Sequence, residues 1–380
     1  MSRPARIVLA ISALLYLSRL PGYAAQPALE PVYNLSLDRF VTTLAYYPDG
    51  KFLAIGEYCA RRSFGPNTNT LAPLPSVAGR VVILDARSRA LLRTLCVTYS
   101  GKRRPSRPAD QMDVRSLAFT PDSRTLAVSA GQDGTGEITV AEVSLWDPQT
   151  GLRKQSVWSG PYEVIGGHTL CFSPNGRELA AGVRQVLHSA KDDEDASQNQ
   201  MLVWDVPSYQ FKRRIVTEGF GSEAVDYAPD NHTLLCNDRS LTLWDTRTGR
   251  QIRRLTTINQ PDAGYGVFSP DGRLIGGGSP WTKTIGRIWD ARTGKLLHAM
   301  PGYEEGGNCV AFTPDGSFLI GDTGWYLNKP YTHDIRVWDV RTGALVHVLK
   351  GEGLAFAVSP DGNELASTAG DDEIEFWHLH

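Results

Sequence analysis

The sequence predicts an all-β fold: a seven-bladed β-propeller of four-stranded antiparallel blades, its ring closed by an N-terminal strand. Three observations predict it. A turn phrase, clearest as Phe268-Ser269-Pro270-Asp271-Gly272, occurs seven times, at 46–50, 119–123, 172–176, 227–231, 268–272, 312–316 and 358–362. A second phrase follows each copy, best seen as Ile288-Trp289-Asp290-Ala291-Arg292-Thr293-Gly294. The last unit reaches His380 just after its third strand, and a strand-like segment, Pro31-Val32-Tyr33-Asn34-Leu35, stands ahead of the first unit. A repeat at this spacing decides the architecture before any single residue does, because each unit can bury its faces only against its neighbours.

The first strand of each unit precedes the turn. One side carries Leu44, Leu117, Leu170, Val225, Gly266, Val310 and Phe356, and the other the mostly small Ala45, Ala118, Cys171, Asp226, Val267, Ala311 and Ala357. Period two with one small face describes a strand in a tight place. In the turn itself, Pro presets φ, Asp bonds nearby backbone and Gly accepts the closing geometry. Three residues beyond the Gly position come Leu53, Leu126, Leu179, Leu234, Ile275, Leu319 and Leu365, a fixed register that marks a second strand. The third strand ends at the Trp-Asp phrase. There Asp147-Pro148-Gln149-Thr150 reads as a type I turn, with Gly151 placed where left-handed geometry costs least. A fourth strand follows, as in residues 296–300 and 345–349. Pro31 to Leu35 is expected to supply the missing outer strand of the last unit and so remove an open edge.

Four antiparallel strands repeated seven times make a propeller, and the phrases resemble the WD40 family over roughly residues 30 to 380. Trp146, Trp204, Trp244, Trp289, Trp338 and Trp377 fill six of the seven expected Trp positions, and Leu84-Asp85 stands at the first. Many members of that family carry a Gly-His pair ahead of the first strand. Here only Gly167-His168 fits, so His168 reads as structural and the blades are expected to rest mainly on apolar packing. The resemblance implies a scaffold that binds proteins.

The N-terminus differs in kind. Arg3 and Arg6 precede a largely apolar run of 11 residues, Ile7 to Leu17, and Gly22, Ala24 and Ala25 follow. This is the pattern of a secretory signal peptide over 1–25, leaving a propeller over 28–380. The run is short for a membrane span. The expectation is export to the periplasm or beyond, without stable membrane insertion once the signal is cleaved; the alternative is an uncleaved N-terminal anchor. A net charge of -2 gives no global pull toward nucleic acid, and a monomeric ring is expected.

Antiparallel strands divide their connections between two faces. The Pro-Asp-Gly and Asp-x-x-Thr-Gly turns share one face. Connections from second to third strand, and from blade to blade, share the other, and the insertions at 57–80, 101–113, 131–142, 185–200 and 323–334 fall there. Long loops on a rigid scaffold carry function more often than turns do, although surface loops also tolerate drift. Trp281, Trp325, Tyr326 and Tyr331 sit off the repeat and suit a binding hot spot, or pack their own loops down. Arg61, Arg62, Lys102, Arg103, Arg104 and Arg107 form a basic sector that suits an acidic partner, or a solvated charged loop. The run Lys191-Asp192-Asp193-Glu194-Asp195 lacks the alternating ligands and Gly of a calcium loop.

Cys171, Cys236 and Cys309 read as small buried apolar residues. Cys59 and Cys96, placed just past strand ends in the first blade, are the pair expected to form any disulfide. Two strand spacings of roughly 10 Å separate their strands, so the loops must fold toward each other. No nucleophile elbow, Cys-x-x-Cys, His-Glu-x-x-His or phosphate loop is present. No cofactor or metal is therefore expected. Three readings stand: a non-catalytic protein-binding module acting through the loop-rich face, an enzyme or small-molecule sensor centred on the channel, and a structural part of the cell envelope. For the second, Asp226 is the acid at the small strand position.

Overall fold

Seven antiparallel sheets make up the computed structural model. It describes residues 31–37, 39–58, 79–101, 112–132, 140–160, 162–163, 169–187, 196–217, 225–237, 240–255, 265–278, 284–301, 310–322, 334–350, 355–370 and 372–379. Blade one is Val41–Tyr46, Phe52–Glu57, Gly79–Asp85 and Leu91–Val97, paired in chain order, and blade two is Asp113–Phe119, Leu126–Gly131, Ala141–Trp146 and Arg153–Gly160. Blades three to six repeat the plan. Blade seven takes Phe356–Val358, Glu364–Ala369 and Glu373–His378 from the C-terminal end, and Tyr33–Ser36 from the N-terminal side. Tyr33 lies opposite Phe376 and Ser36 opposite Glu373. The expected closure of the ring by an N-terminal strand is the arrangement found.

The turns behave as the phrases require. In five blades the Ser or Thr before Pro donates to the side chain two residues on, for example Ser269 to Asp271 Oδ1 at 2.7 Å and Thr313 to Asp315 Oδ1 at 2.6 Å. The Gly position adopts φ near +70°; Ser123 and Asn231 take φ of 60° and 67° in the two blades without Gly. The second turn is held by the Asp after Trp, as where Asp290 Oδ1 accepts from the Thr293 N–H and hydroxyl, both at 2.6 Å.

Seven apolar clusters hold the ring, one at each blade boundary. Trp204, Trp289, Trp338 and Trp377 are fully buried among them, Trp146 is buried, Trp244 is half-buried, and Leu84 is buried at the first position. In three of the blades without the Gly-His pair, Trp Nε1 finds a hydroxyl: Trp146 donates to Ser144, Trp244 to Thr242 and Trp377 to Ser367, each at 2.9 Å. Two seams add polar bonds. Tyr46 donates to Glu364 Oε1 at 2.5 Å across the blade seven–one seam, and Arg89 pairs with the same carboxylate while covering the Phe376 ring at 3.9 Å. Tyr227 donates to Glu178 Oε2 at 2.8 Å between blades three and four, where Lys212 also pairs with Glu178.

Two expectations need correction. Residues 185–200 are not simply a loop. The strands Glu178–Leu187 and Ala196–Asp205 run ten residues each and pair along their length, from Glu178 opposite Asp205 to Leu187 opposite Ala196. Continuous pairing extends this hairpin beyond the other blades, and Tyr162–Glu163 adds a short strand against Arg184 and Gln185. Cys96 is not past a strand end. It lies within Leu91–Val97, opposite Arg80, and is exposed.

Candidate functional site

Every first-to-second strand connection, and every third-to-fourth one in blades one to six, is a tight turn on one face of the ring. The remaining connections leave from the opposite face, including the 20 residues of 59–78 and the ten of 102–111. The strand ends that lead into and out of those two connections come together at the boundary of blades one and two.

At this corner the chain enters blade one through Arg39 and Phe40, and leaves its second strand at Tyr58. The Tyr58 N–H donates to the Phe40 carbonyl at 3.0 Å, and the two rings lie 5.1 Å apart. Blade two begins beside them with Asp113-Val114-Arg115. A register shift between Val114 and Ser116 leaves Arg115 as the extra residue of a β-bulge, a device that re-aims a side chain. Arg115 reaches back across the blade boundary. Its guanidinium lies 5.1 Å from the Tyr58 ring centroid, donates to the Tyr58 hydroxyl at 3.0 Å, and meets Asp113 at 3.5 Å. Arg39, Phe40, Tyr58 and Arg115 are all partly exposed. Behind them the fully buried Glu57 pairs with Arg80.

Both ends of the 102–111 connection are anchored. At its start, the Ser100 N–H and hydroxyl donate to Glu142 at 2.8 and 2.7 Å. Arg153 pairs with Glu142 and donates to the Thr98 carbonyl at 3.0 Å. At its end, fully buried Met112 lies over Gly79, so closely that a Cβ on Gly79 would fall 1.6 Å from the Met112 carbonyl oxygen.

The inner strands line a channel. The small position is partly exposed in every blade, at Ala45, Ala118, Cys171, Asp226, Val267, Ala311 and Ala357. The Asp226 carboxylate is turned into the blade four–five boundary, where Oδ2 accepts the Phe268 N–H at 2.7 Å. Burial pushes its pKa up to about 7, opposed by the N–H groups of Phe268 and Tyr227. The folded chain therefore keeps a proton that the unfolded chain releases between about pH 4 and pH 7, and stability falls as pH rises through that window. Asp226→Asn is expected to flatten the fall, leaving the variant about 1–3 kcal/mol more stable than the parent at pH 8 and little changed at pH 4. Thermal melts across that range check it, and parallel pH profiles for the two chains would refute it.

The residues singled out from sequence divide in two. The six tryptophans sit at blade boundaries as described. Trp281, Trp325, Tyr326, Tyr331, Arg61, Arg62, Arg103, Arg104, His168 and Cys59 lie outside the described residues, so the pairing of Cys59 with Cys96 stays an expectation. Sequence reasoning missed Arg39, Phe40, Tyr58 and Arg115, which abut the repeat. The available signal was that Arg115 interrupts a small, apolar inner strand.

The WD40 family model (WD domain, G-beta repeat) matches residues 104–136, which take in the first two strands of blade two. Seven such blades stand in register around the ring. The chain is a seven-bladed β-propeller whose second blade matches the WD40 repeat. This propeller is 23% identical over 280 residues to Autophagy-related protein 16 of Arabidopsis thaliana, covering 70% of this chain and 47% of that protein. It is 27% identical over 222 residues to the B-type cell cycle switch protein ccs52B of Medicago truncatula, covering 57% and 32%. It is 26% identical over 198 residues to an uncharacterized WD repeat-containing protein of Synechocystis, covering 50% and 52%. The matched region thus spans about half or less of the length of these relatives.

Proposed function

We propose that this propeller is a non-catalytic scaffold that holds a protein partner on its connection face. The observation that carries the reading is the one-sidedness of the ring. One face is closed by tight turns pinned by Asp side chains, and the other bears all the longer connections around a half-exposed Phe40–Tyr58–Arg115 cluster. Aromatic and Arg side chains in such a setting are the usual anchors of protein interfaces. Relatives named for autophagy and for cell-cycle switching support a role in assemblies. A site in the channel is less favoured, because the carboxylate of its ring acid, Asp226, is engaged by the backbone of blade five.

The same proposal places the scaffold outside the cytoplasm, supported by the charged, apolar and small-residue segments of residues 1–25. Affinity capture of tagged full-length chain from its native host tests both parts, with the mature N-terminus read by mass spectrometry. The expected result is a start near Ala25 or Gln26 and a protein recovered in stoichiometric amount. An intact Met1 would overturn the exported placement, and recovery of the processed chain alone would overturn the scaffold.

A further inference from the structure

The outer strands differ sharply in charge. Those of blades three and four, Phe211–Thr217 and Arg250–Leu255, carry Lys212, Arg213, Arg214, Arg250, Arg253 and Arg254 and no acid. The outer strands of the other five blades carry only Arg93, Arg153 and Lys154 among them. The two basic strands stand side by side on the rim of the ring. Arg213 donates to the Arg247 carbonyl in the turn of blade four at 2.6 Å, and Arg253 to the Thr293 carbonyl in the turn of blade five at 2.9 Å. Both acceptors are neutral, so these guanidiniums keep their full charge. Lys212 pairs with Glu178. Arg214 and Arg250 are exposed, and among the described residues neither has an acidic partner. The same strands expose apolar side chains: Phe211 is 55% exposed, Ile252 50% and Val216 47%. Each strand also carries a β-bulge. Trp204 lies opposite Phe211 and Val203 opposite Arg213, which leaves Lys212 as the extra residue, and Ile252 is the extra residue between Gln251 and Arg253.

We infer that the rim of blades three and four rests on an anionic lipid surface. Arg214 and Arg250 meet the phosphates of the headgroups, and Phe211 and Ile252 reach the boundary of the acyl chains. Three features favour lipid over a protein segment. The bulges interrupt the run of edge N–H and C=O groups that an added strand would need. The rim is convex, so a plane touches two neighbouring blades at once, whereas the anchors of a protein partner seat in recesses. Cations interspersed with apolar side chains match an interface where headgroup charge and acyl boundary lie a few ångströms apart. Charge on an outer strand also discourages edge-to-edge pairing, but that role leaves the exposure of Phe211 and Ile252 unexplained. The inference stands apart from the partner on the connection face.

The test uses full-length chain and phosphatidylcholine vesicles, with or without an equal part of phosphatidylglycerol, read by flotation. Every variant carries the same N-terminal segment, so adsorption through its apolar run is common to all, and the gain on adding phosphatidylglycerol is what counts. The variants are Arg214→Glu with Arg250→Glu, and Phe211→Ser with Ile252→Ser. Lys51→Glu with Arg87→Glu makes the same change of charge at exposed turn positions of blade one. Thermal melts establish that each variant is folded. The parent is expected to bind more tightly when phosphatidylglycerol is present, with the gain shrinking as salt rises. The Arg214/Arg250 pair should lower that gain by about tenfold or more, and the Lys51/Arg87 pair should leave it nearly unchanged. The Phe211/Ile252 pair should weaken binding without altering its salt dependence. No gain in the parent, or an equal loss in the Lys51/Arg87 pair, would overturn the inference. So would vesicle binding unaffected by Phe211→Ser with Ile252→Ser and displaced by soluble polyglutamate, which would assign the rim to an acidic protein.

Discussion

Removing residues 1–37 is expected to lower the melting temperature by about 7 °C and to make the chain aggregate. Tyr33–Ser36 is the outer strand of blade seven, paired along its length with Glu373–His378. Flanking bonds extend the pairing, from the Val32 N–H to the Phe376 carbonyl at 2.7 Å and from the Leu37 N–H to the Asp372 carbonyl at 2.6 Å. Each such bond contributes about 1 kcal/mol net. Leu35 and Leu37 pack on the cluster that joins blade seven to blade one, and the Tyr33 ring lies 5.9 Å from Phe376. Losing about 5 kcal/mol in a protein of this size moves the midpoint by about 7 °C. The bared Glu373–His378 edge also becomes a template for another chain. Calorimetry and light scattering on this deletion, beside one that begins at Pro31, check the expectation. Equal melting of the two would show that the ring does not depend on this strand.

Gly79→Ala is expected to cost about 2–4 kcal/mol, the range of a forced core clash, and to disorganise the blade one–two corner. The added Cβ would sit 1.6 Å from the Met112 oxygen and 2.8 Å from its carbonyl carbon, so backbone must move. Met112 is fully buried and leads directly into Asp113 and Arg115, so its shift misplaces the guanidinium beside Tyr58. Gly131→Ala is the control. Its Cβ would meet only ordinary contacts, 3.6 Å from the Val140 oxygen and 3.7 Å from Ala141 Cβ, and it should change stability by less than about 1 kcal/mol. Urea melts compare the two. Similar losses in both would mean that the approach of Met112 to Gly79 is not what holds the corner.

The ring was legible because its information is local and repeated. Pro-Asp-Gly and Asp-x-x-Thr-Gly turns fix their own geometry within five residues, and seven copies in register leave one architecture. The closing strand was legible too, from a last unit with three strands and an unassigned Pro31-Val32-Tyr33-Asn34-Leu35. What escaped is non-local. At the aromatic position before each turn, Tyr46 and Tyr227 stand among phenylalanines, and each donates to a Glu that opens the second strand of the preceding blade, Glu364 or Glu178. Those partners lie 318 and 49 residues away, and only the closed ring brings them together. The corner escaped for a related reason. A bulge at Val114/Ser116 breaks the period-two reading and sends Arg115 to the neighbouring blade, which alternation along one strand does not reveal. The polar 185–200 stretch of blade three resembles a loop insertion, whereas backbone pairing carries its hairpin to Leu187 and back from Ala196.

The central claim, that the connection face holds the partner, is tested most directly by hydrogen–deuterium exchange of full-length chain with and without the captured protein. The account predicts slowed exchange in 58–78, 101–115 and the other connections of that face, with the turns at 46–50, 268–272 and 312–316 unchanged. Protection confined to those turns or to the outer strands, with the connections unaffected, would contradict it.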